Sequence, residues 1–181
     1  MASPISCLSI LVIPLLVTSL FYQISNAVDE AFLERICHKS FDYELCLSTL
    51  RSDGRTSTAD PNGLVLISIS INMDLVQTTI NRTIPDILKT LTDPLDKTLL
   101  TNCQTDFIYV RGNLTQGYVA SASKHYQKGI TLIYDALLKS AECDSEYSTH
   151  PPKKSPISDV TFKVGRLIDI TFVIVDEIVS K

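Results

Sequence analysis

The stretch DPLDKTLLTNCQTDFIYVRGNL, residues 93–114, carries the most regular apolar pattern in this chain of 181 residues. Asp93 followed by Pro94 is typical of a helix start, because aspartate caps the first turn and proline fits the first helical position. Apolar residues then recur every three or four positions, as on one face of an α-helix: Leu95, Leu99, Cys103, Phe107, Val110 and Leu114. The stretch predicts a long helix that needs partner helices to cover this face.

The run LVLISISINMDLVQTTI, residues 64–80, allows two interpretations. Its isoleucines alternate with serines, as in a strand, but Asp60 and Pro61 repeat the helix-start pattern just before it. The length and this start favour a helix. Pro85 predicts a kink or an end of that helix near Ile84, because proline lacks the backbone donor that a helix interior needs.

Two more apolar faces follow in the second half of the chain. One is formed by Ile130, Ile133, Leu137 and Ala141, and the other by Val160, Val164, Leu167, Thr171, Val175 and Ile178. Residues 117–129, GYVASASKHYQKG, lack such a face and predict a tight turn between helices. Short links between amphipathic helices favour antiparallel neighbours. We therefore predict an all-α protein, an up-down four-helix bundle over residues 60–181 with an N-terminal helical hairpin over residues 28–52.

The first 27 residues predict a secretory signal peptide. The apolar run 7–20 is too short for a membrane helix, which needs about 20 residues. Ser25 and Ala27 place small residues at positions −3 and −1 of a cleavage site before Val28. An uncleaved anchor is the alternative. We expect a secreted domain of residues 28–181 that does not span a membrane after cleavage.

The charge balance excludes one class of partner. Sixteen Lys and Arg against 20 Asp and Glu give a net charge of −4. Nucleic-acid binding is not expected, because the sequence has no basic patch with interleaved aromatic residues.

Four cysteines remain after removal of the signal peptide: Cys37, Cys46, Cys103 and Cys143. An even number in a secreted chain predicts two disulfides. Three pairings are possible, and proximity favours Cys37 with Cys46, which leaves Cys103 with Cys143. A zinc site is disfavoured because the chain has no C-x-x-C motif and its three histidines are scattered. We expect no metal and no cofactor.

The hairpin consists of two short segments, with Phe41 and Tyr43 in or near its turn. Because such segments bury little of their own surface, we expect the hairpin to depend on its disulfide, whereas the bundle should not.

Two tripeptides, NRT at Asn81 and NLT at Asn113, are acceptors for N-glycosylation in a secreted chain. Both fall within predicted helices, so we expect them on solvent-facing sides.

The sequence does not predict an enzyme. It has no G-x-S-x-G, H-E-x-x-H or phosphate-binding glycine loop. SASK, residues 121–124, matches S-x-x-K without the companion motifs of that enzyme class. A rigid bundle is instead suited to binding, since little ordering entropy is lost on association.

Four stretches together resemble the plant invertase and pectin methylesterase inhibitors. They are the C-x8-C of residues 37–46, STADPNGLVLISISI of residues 57–71, DPLDKTLLTNC of residues 93–103 and YDALLKSAEC of residues 134–143. The resemblance is strongest to the subgroup that includes tree-pollen allergens described as putative invertase inhibitors.

The resemblance implies a four-helix bundle with an N-terminal hairpin, and disulfides between the first and second and between the third and fourth cysteines. It implies a cell-wall location and an inhibitor of acid invertase or pectin methylesterase, with a slight preference for invertase. Tobacco-type invertase inhibitors carry a Pro-Lys-Phe motif between the second and third bundle helices. Here the matching stretch reads KHYQKG, residues 124–129.

This turn supplies the candidate enzyme-contact residues, Lys124, His125, Tyr126 and Lys128. An exposed tyrosine between two cations can act as an anchor in a cleft; a solvated turn in which Tyr126 caps the core is the alternative. Two other functions stay open: a secreted interaction or structural protein without inhibitory activity, and a carrier of small molecules, which would need a large apolar pocket.

Overall fold

The computed structural model describes residues 27–149 and 152–180. Apart from Ala27, the predicted signal peptide lies outside the described residues. The described chain contains no strand, and its helices are α1 Glu30–Cys37, α2 Tyr43–Ser52, a short 3-10 helix Thr56–Thr58, α3 Pro61–Thr78, a π-helical turn Thr79–Thr83, α4 Ile84–Thr90, α5 Pro94–Ala122, α6 Tyr126–Tyr147 and α7 Ser158–Val179.

Both predicted Asp-Pro helix starts are present. The Asp60 carboxylate accepts a hydrogen bond from the Gly63 backbone N–H at 2.6 Å, and the Asp93 carboxylate accepts one from Leu95 at 2.7 Å. Each aspartate thus satisfies a backbone donor that has no partner within its helix.

Of the two outcomes expected at Pro85, a kink or an end of the helix, the end is not observed. The chain widens into the π-helical turn Thr79–Thr83, and Pro85 lies in the first turn of α4, so the run continues to Thr90. A π-helical turn changes the hydrogen-bonding step from four residues to five, and proline is tolerated in the first turn of the segment that follows.

The four long helices form a closed ring. Helix α3 packs against α5 and α7, and α6 packs against the same two helices. The run Pro61–Thr90 is long and apolar enough to cross a membrane by length and composition, yet in this fold it packs as one wall of the bundle. The prediction of an all-α up-down bundle with two disulfides is confirmed.

The apolar faces of α5 and α6 differ in part from those predicted. On α5 the fully buried residue of the first turns is Leu100, while Leu95 is exposed and Leu99 half-buried. On α6 only Ile133 of the predicted face is fully buried, and Ile130, Leu137 and Ala141 are not. The buried side of α6 is Gly129, Ile133, Ala136, Ser140, Cys143 and Tyr147. Small residues make most of this contact, so a search for large apolar residues misses it.

The hairpin shares the core of the bundle, which corrects the expectation that it buries little. Phe32, Leu33 and Ile36 of α1 belong to the same hydrophobic cluster as the bundle interior. Polar contacts to α7 add to this packing. The Asp169 carboxylate accepts from the Ser40 hydroxyl at 2.6 Å and from the Phe41 backbone N–H at 2.9 Å.

A second set of contacts fixes the hairpin near the C-terminal end of α7. Glu177 accepts from Arg35 at 2.9 Å and from Lys39 at 3.0 Å. The hydrogen bonds from Lys39 and then Arg35 lower the pKa of Glu177 from 4.5 to about 2.

The two disulfides join Cys37 to Cys46 and Cys103 to Cys143. The first closes the hairpin, and the second ties α5 to α6. All four cysteines are fully buried.

Candidate functional site

The turn between α5 and α6 has the geometry of a Schellman motif. The Lys124 N–H donates to the Ser121 carbonyl and the His125 N–H to the Ala120 carbonyl, both at 2.9 Å. This motif places its central residue in the left-handed region, which favours glycine. Here that residue is Lys124, with φ of 58°, and it is the one non-glycine residue of the described chain with positive φ. Such strain, which costs about 1–2 kcal/mol, is found frequently at functional sites.

The four predicted contact residues lie together at this turn but differ in exposure. Lys124, His125 and Lys128 are exposed, whereas Tyr126 is half-buried against the core. Its hydroxyl donates to the Asn62 side-chain oxygen at 2.9 Å. Tyr126 therefore links the start of α6 to the start of α3, which corresponds to the alternative of a tyrosine that caps the core.

Burial of Tyr126 also affects its titration. Desolvation raises the pKa of the phenol above 10, and the negative charge of Asp60 adds to the increase. The hydroxyl therefore stays protonated in acidic and neutral solution and can keep donating to Asn62. This hydrogen bond holds the turn against the bundle.

A groove of about 700 Å³ runs beside the turn. Lys124, His125 and Lys128 form one rim, and the C-terminal half of α7 contributes an apolar wall of Phe172, Val175 and Val179. Asp176 of α7 also lines the groove, and its carboxylate forms an ion pair with Lys39 at 3.2 Å. The site thus combines a mainly basic rim with an apolar wall. We call Lys124, His125, Tyr126 and Lys128 the turn site.

A second groove of about 410 Å³ lies farther along the same two helices and shares Phe172 with the first. Its rim contains Arg166 near two exposed aromatic rings. The guanidinium carbon lies 4.7 Å from the ring centre of Phe162 and 5.5 Å from that of Phe41. Phe41 comes from the hairpin, so the hairpin contributes directly to this surface.

The interior of the bundle is filled by side chains with almost no exposure: Phe107, Leu114, Ile133 and Leu167. A filled interior argues against a carrier that holds a small molecule in its core. Among the described residues, no three His, Cys, Asp or Glu side chains are grouped so that they could hold a metal ion.

The two predicted glycosylation sites differ in exposure. Asn81 is exposed within the π-helical turn, and Asn113 is half-buried near the middle of α5.

The sequence does not predict two features that surround the turn site. Asn62 lies about 60 residues before its partner Tyr126, and the α7 wall lies nearly 50 residues after it. Only the three-dimensional arrangement brings these parts together, and no local pattern in the sequence indicates it.

Comparison with known proteins identifies relatives along most of the chain. The family model described as plant invertase/pectin methylesterase inhibitor matches residues 31–174. A putative invertase inhibitor from Platanus orientalis is 24% identical over 144 residues, which cover 77% of this chain and 82% of the relative. A pectinesterase inhibitor from Actinidia deliciosa is 25% identical over 166 residues, 92% of this chain and 89% of the relative.

A shorter match joins the chain to a cell wall / vacuolar inhibitor of fructosidase from Arabidopsis thaliana. It is 29% identical over 82 residues, 45% of this chain and 46% of the relative. These relatives are named as inhibitors and not as enzymes, in agreement with the prediction of a binding protein.

Solved structures show the same fold. A pectin methylesterase inhibitor from Arabidopsis thaliana superimposes with a TM-score of 0.59 at 18% identity, covering 82% of this chain and 97% of that one. A mutant form of a pectin methylesterase inhibitor from Arabidopsis gives 0.66 at 19% identity, with 78% and 93% covered. The family model spans both the hairpin and the bundle, and the fold agrees with it: the chain belongs to the plant invertase/pectin methylesterase inhibitor family.

Proposed function

We propose that this protein is a secreted inhibitor of a plant acid invertase and that it binds the enzyme through the turn site. One observation carries the proposal: three exposed basic side chains stand on a strained, hydrogen-bonded turn beside a groove with an apolar wall. A preorganised turn of this kind loses little entropy when it enters a cleft.

The sign of the charge favours invertase over pectin methylesterase. Invertase is a glycoside hydrolase, and such enzymes place a pair of carboxyl groups on either side of the scissile bond. The basic rim of Lys124, His125 and Lys128 complements a cleft of that kind. Pectin is a polyanion, so a cleft that accepts it should carry positive charge and repel the same rim.

The names of the relatives support an enzyme partner of this group without selecting between the two. The Platanus relative is named for invertase and the Actinidia relative for pectinesterase, at nearly equal identity. The choice of invertase therefore depends on the charge of the turn site.

Secretion belongs to the same proposal. The apolar run before Val28 and the four buried, paired cysteines fit a chain that matures in an oxidising compartment. We propose cleavage before Val28 and a location in the cell wall, where the partner would be a cell-wall invertase; a vacuolar invertase is the related alternative. Mass spectrometry of the protein recovered from wall fluid would test the cleavage site.

A paired titration tests the function. The mature chain, produced in an oxidising host and checked by mass for two disulfides, is titrated against a cell-wall invertase and a pectin methylesterase at acidic pH. We expect stoichiometric loss of invertase activity and no loss of pectin methylesterase activity. The reverse result would assign the other target, and no inhibition of either enzyme by the folded protein would favour a non-inhibitory interaction protein.

A further inference from the structure

A shallow groove between α5 and α6 surrounds the second glycosylation sequence. It is lined by Tyr109, Asn113, Asp135, Leu138, Lys139 and Glu142 and has a volume of about 270 Å³. Two of its apolar side chains are unusually open: Tyr109 is 61% exposed and Leu138 is 49% exposed. A soluble protein normally covers neighbouring apolar groups of this kind or uses them for binding.

Asn113 stands at the edge of this apolar surface. It lies four residues after Tyr109 on α5, a spacing that places the two side chains on the same side of a helix. No described residue forms a hydrogen bond with the Asn113 side chain. Its amide nitrogen is therefore not engaged by the fold.

We propose that Asn113 carries an N-linked glycan whose first sugar ring packs on Tyr109 and Leu138. The Asn113 amide nitrogen forms a bond to C1 of an N-acetylglucosamine and loses one proton. The sugar breaks its bond to a polyprenyl pyrophosphate carrier, which leaves with the electron pair. No oxidant or reductant is needed, and the carrier is the only co-reactant.

The groove fits one sugar ring and its chemistry. Its volume lies just below the ~300 Å³ at which small-molecule sites begin, so it suits one ring and not a whole oligosaccharide. The apolar face of a pyranose can stack on the Tyr109 ring, while Asp135 and Glu142 offer acceptors to its hydroxyl groups. Lys139 forms ion pairs with Asp106, at 3.1 Å, and with Glu142, and its ammonium nitrogen lies 5.8 Å from the Tyr109 ring centre.

Asn81 provides a comparison within the same chain. It is exposed in the π-helical turn, next to the exposed Arg82. A glycan there would extend into solvent without this groove. A glycan at Asn113 should therefore contact the protein surface, whereas a glycan at Asn81 should not.

The test uses the full chain secreted from a eukaryotic host. Intact mass and glycopeptide mapping determine occupancy in the native protein, Asn113→Gln, Thr115→Ser and Asn81→Gln. We expect a glycan at Asn113 in the native chain, in Thr115→Ser, which keeps the sequon, and in Asn81→Gln, but none in Asn113→Gln. An unmodified Asn113 in the native chain would overturn the proposal.

The position of the sugar is tested by enzymatic deglycosylation under native conditions. Removal of the glycan should lower the melting temperature by a few degrees in an Asn81→Gln protein with native Tyr109. This decrease in melting temperature should fall to near zero when Tyr109→Ser is added, although Asn113 remains occupied. An equal loss with and without Tyr109 would show that the glycan does not pack on the groove.

Discussion

Gly117 of α5 and Gly129 of α6 face each other where the two helices approach closely. A Cβ atom added to either glycine would lie 3.4 Å from the carbonyl oxygen of the other. Gly117 lies about two helical turns before Lys124, and Gly129 directly follows Lys128, so the close contact helps to set how α5 and α6 present that turn.

Gly129→Ala should destabilise the protein by about 1–3 kcal/mol, because the added Cβ would lie 2.6 Å from the Ser121 hydroxyl oxygen. Ser121→Ala removes that oxygen and should recover most of the loss in the double variant. Gly112→Ala is the control on α5: its added Cβ meets nothing within 4 Å, so it should gain up to ~1 kcal/mol. Denaturant unfolding measures the stability of the native protein, Gly129→Ala, Gly129→Ala/Ser121→Ala and Gly112→Ala. Equal stability of Gly129→Ala and Gly112→Ala would contradict the close contact.

Lys124→Gly should increase the free energy of unfolding by about 1 kcal/mol, because glycine adopts a φ of 58° without steric cost. Lys124→Ala removes the same charge but keeps a Cβ, so it should not gain this stability. Both variants should inhibit more weakly than the native protein. Thermal unfolding and inhibition assays separate the two effects, and a stabilised Lys124→Ala would contradict the strain assigned to this turn.

The contacts of Glu177 predict a dependence of stability on pH. Its pKa is lower in the folded state, about 2, than the ordinary 4.5, so the stabilisation is complete above about pH 5 and is lost as the pH falls from 4.5 to 2. Because Arg35 and Lys39 are nearly half-exposed, screening reduces the contribution to about 1–2 kcal/mol.

Glu177→Gln should therefore be less stable than the native protein at pH 6 and similar to it near pH 2. Melting temperatures measured across this range provide the test. A constant difference between the two proteins at every pH would rule out this titration.

Removal of the hairpin disulfide by Cys37→Ser and Cys46→Ser should cost about 2.7 kcal/mol by the loop-closure model. The hairpin should nevertheless stay docked, since Phe32, Leu33 and Ile36 are buried in the shared core. Hydrogen exchange of the α1 amides measures this docking. When Asp169→Asn is added to the disulfide variant, exchange should increase in α1 much more than in α5. Full exchange of α1 in the disulfide variant alone would contradict this prediction and show that the hairpin is held by its disulfide.

The sequence predicts the helices better than their contacts. The starts at Asp60 and Asp93 depend on local chemistry, and both are present in the structure. The sequence does not reveal the buried side of α6, because glycine, alanine and serine make much of the contact and leave no large apolar pattern. The sequence does not reveal the docking of the hairpin either, because Glu177 and Asp169 are distant in sequence from Lys39 and Ser40.

The candidate site, like the fold, can be predicted from the sequence only in part. The basic residues and the turn could be located from the sequence, since residues 117–129 lack a face of large apolar residues. The structure narrows the turn to residues 123–125, because α5 continues to Ala122 and α6 begins at Tyr126. The half-buried position of Tyr126 depends on Asn62, and the groove depends on α7, so neither could be predicted without the fold.

The most direct test of the central claim is the inhibition constant of Lys124→Glu/Lys128→Glu against a cell-wall invertase. Lys97→Glu is the control for a charge reversal far from the site: an exposed lysine near the opposite end of α5, roughly 40 Å from the turn at 1.5 Å per residue. Reversal of two contact charges should weaken inhibition at least tenfold, while Lys97→Glu should inhibit like the native protein. Equal inhibition by all three proteins, with the fold intact, would show that the turn site is not the surface that recognises invertase.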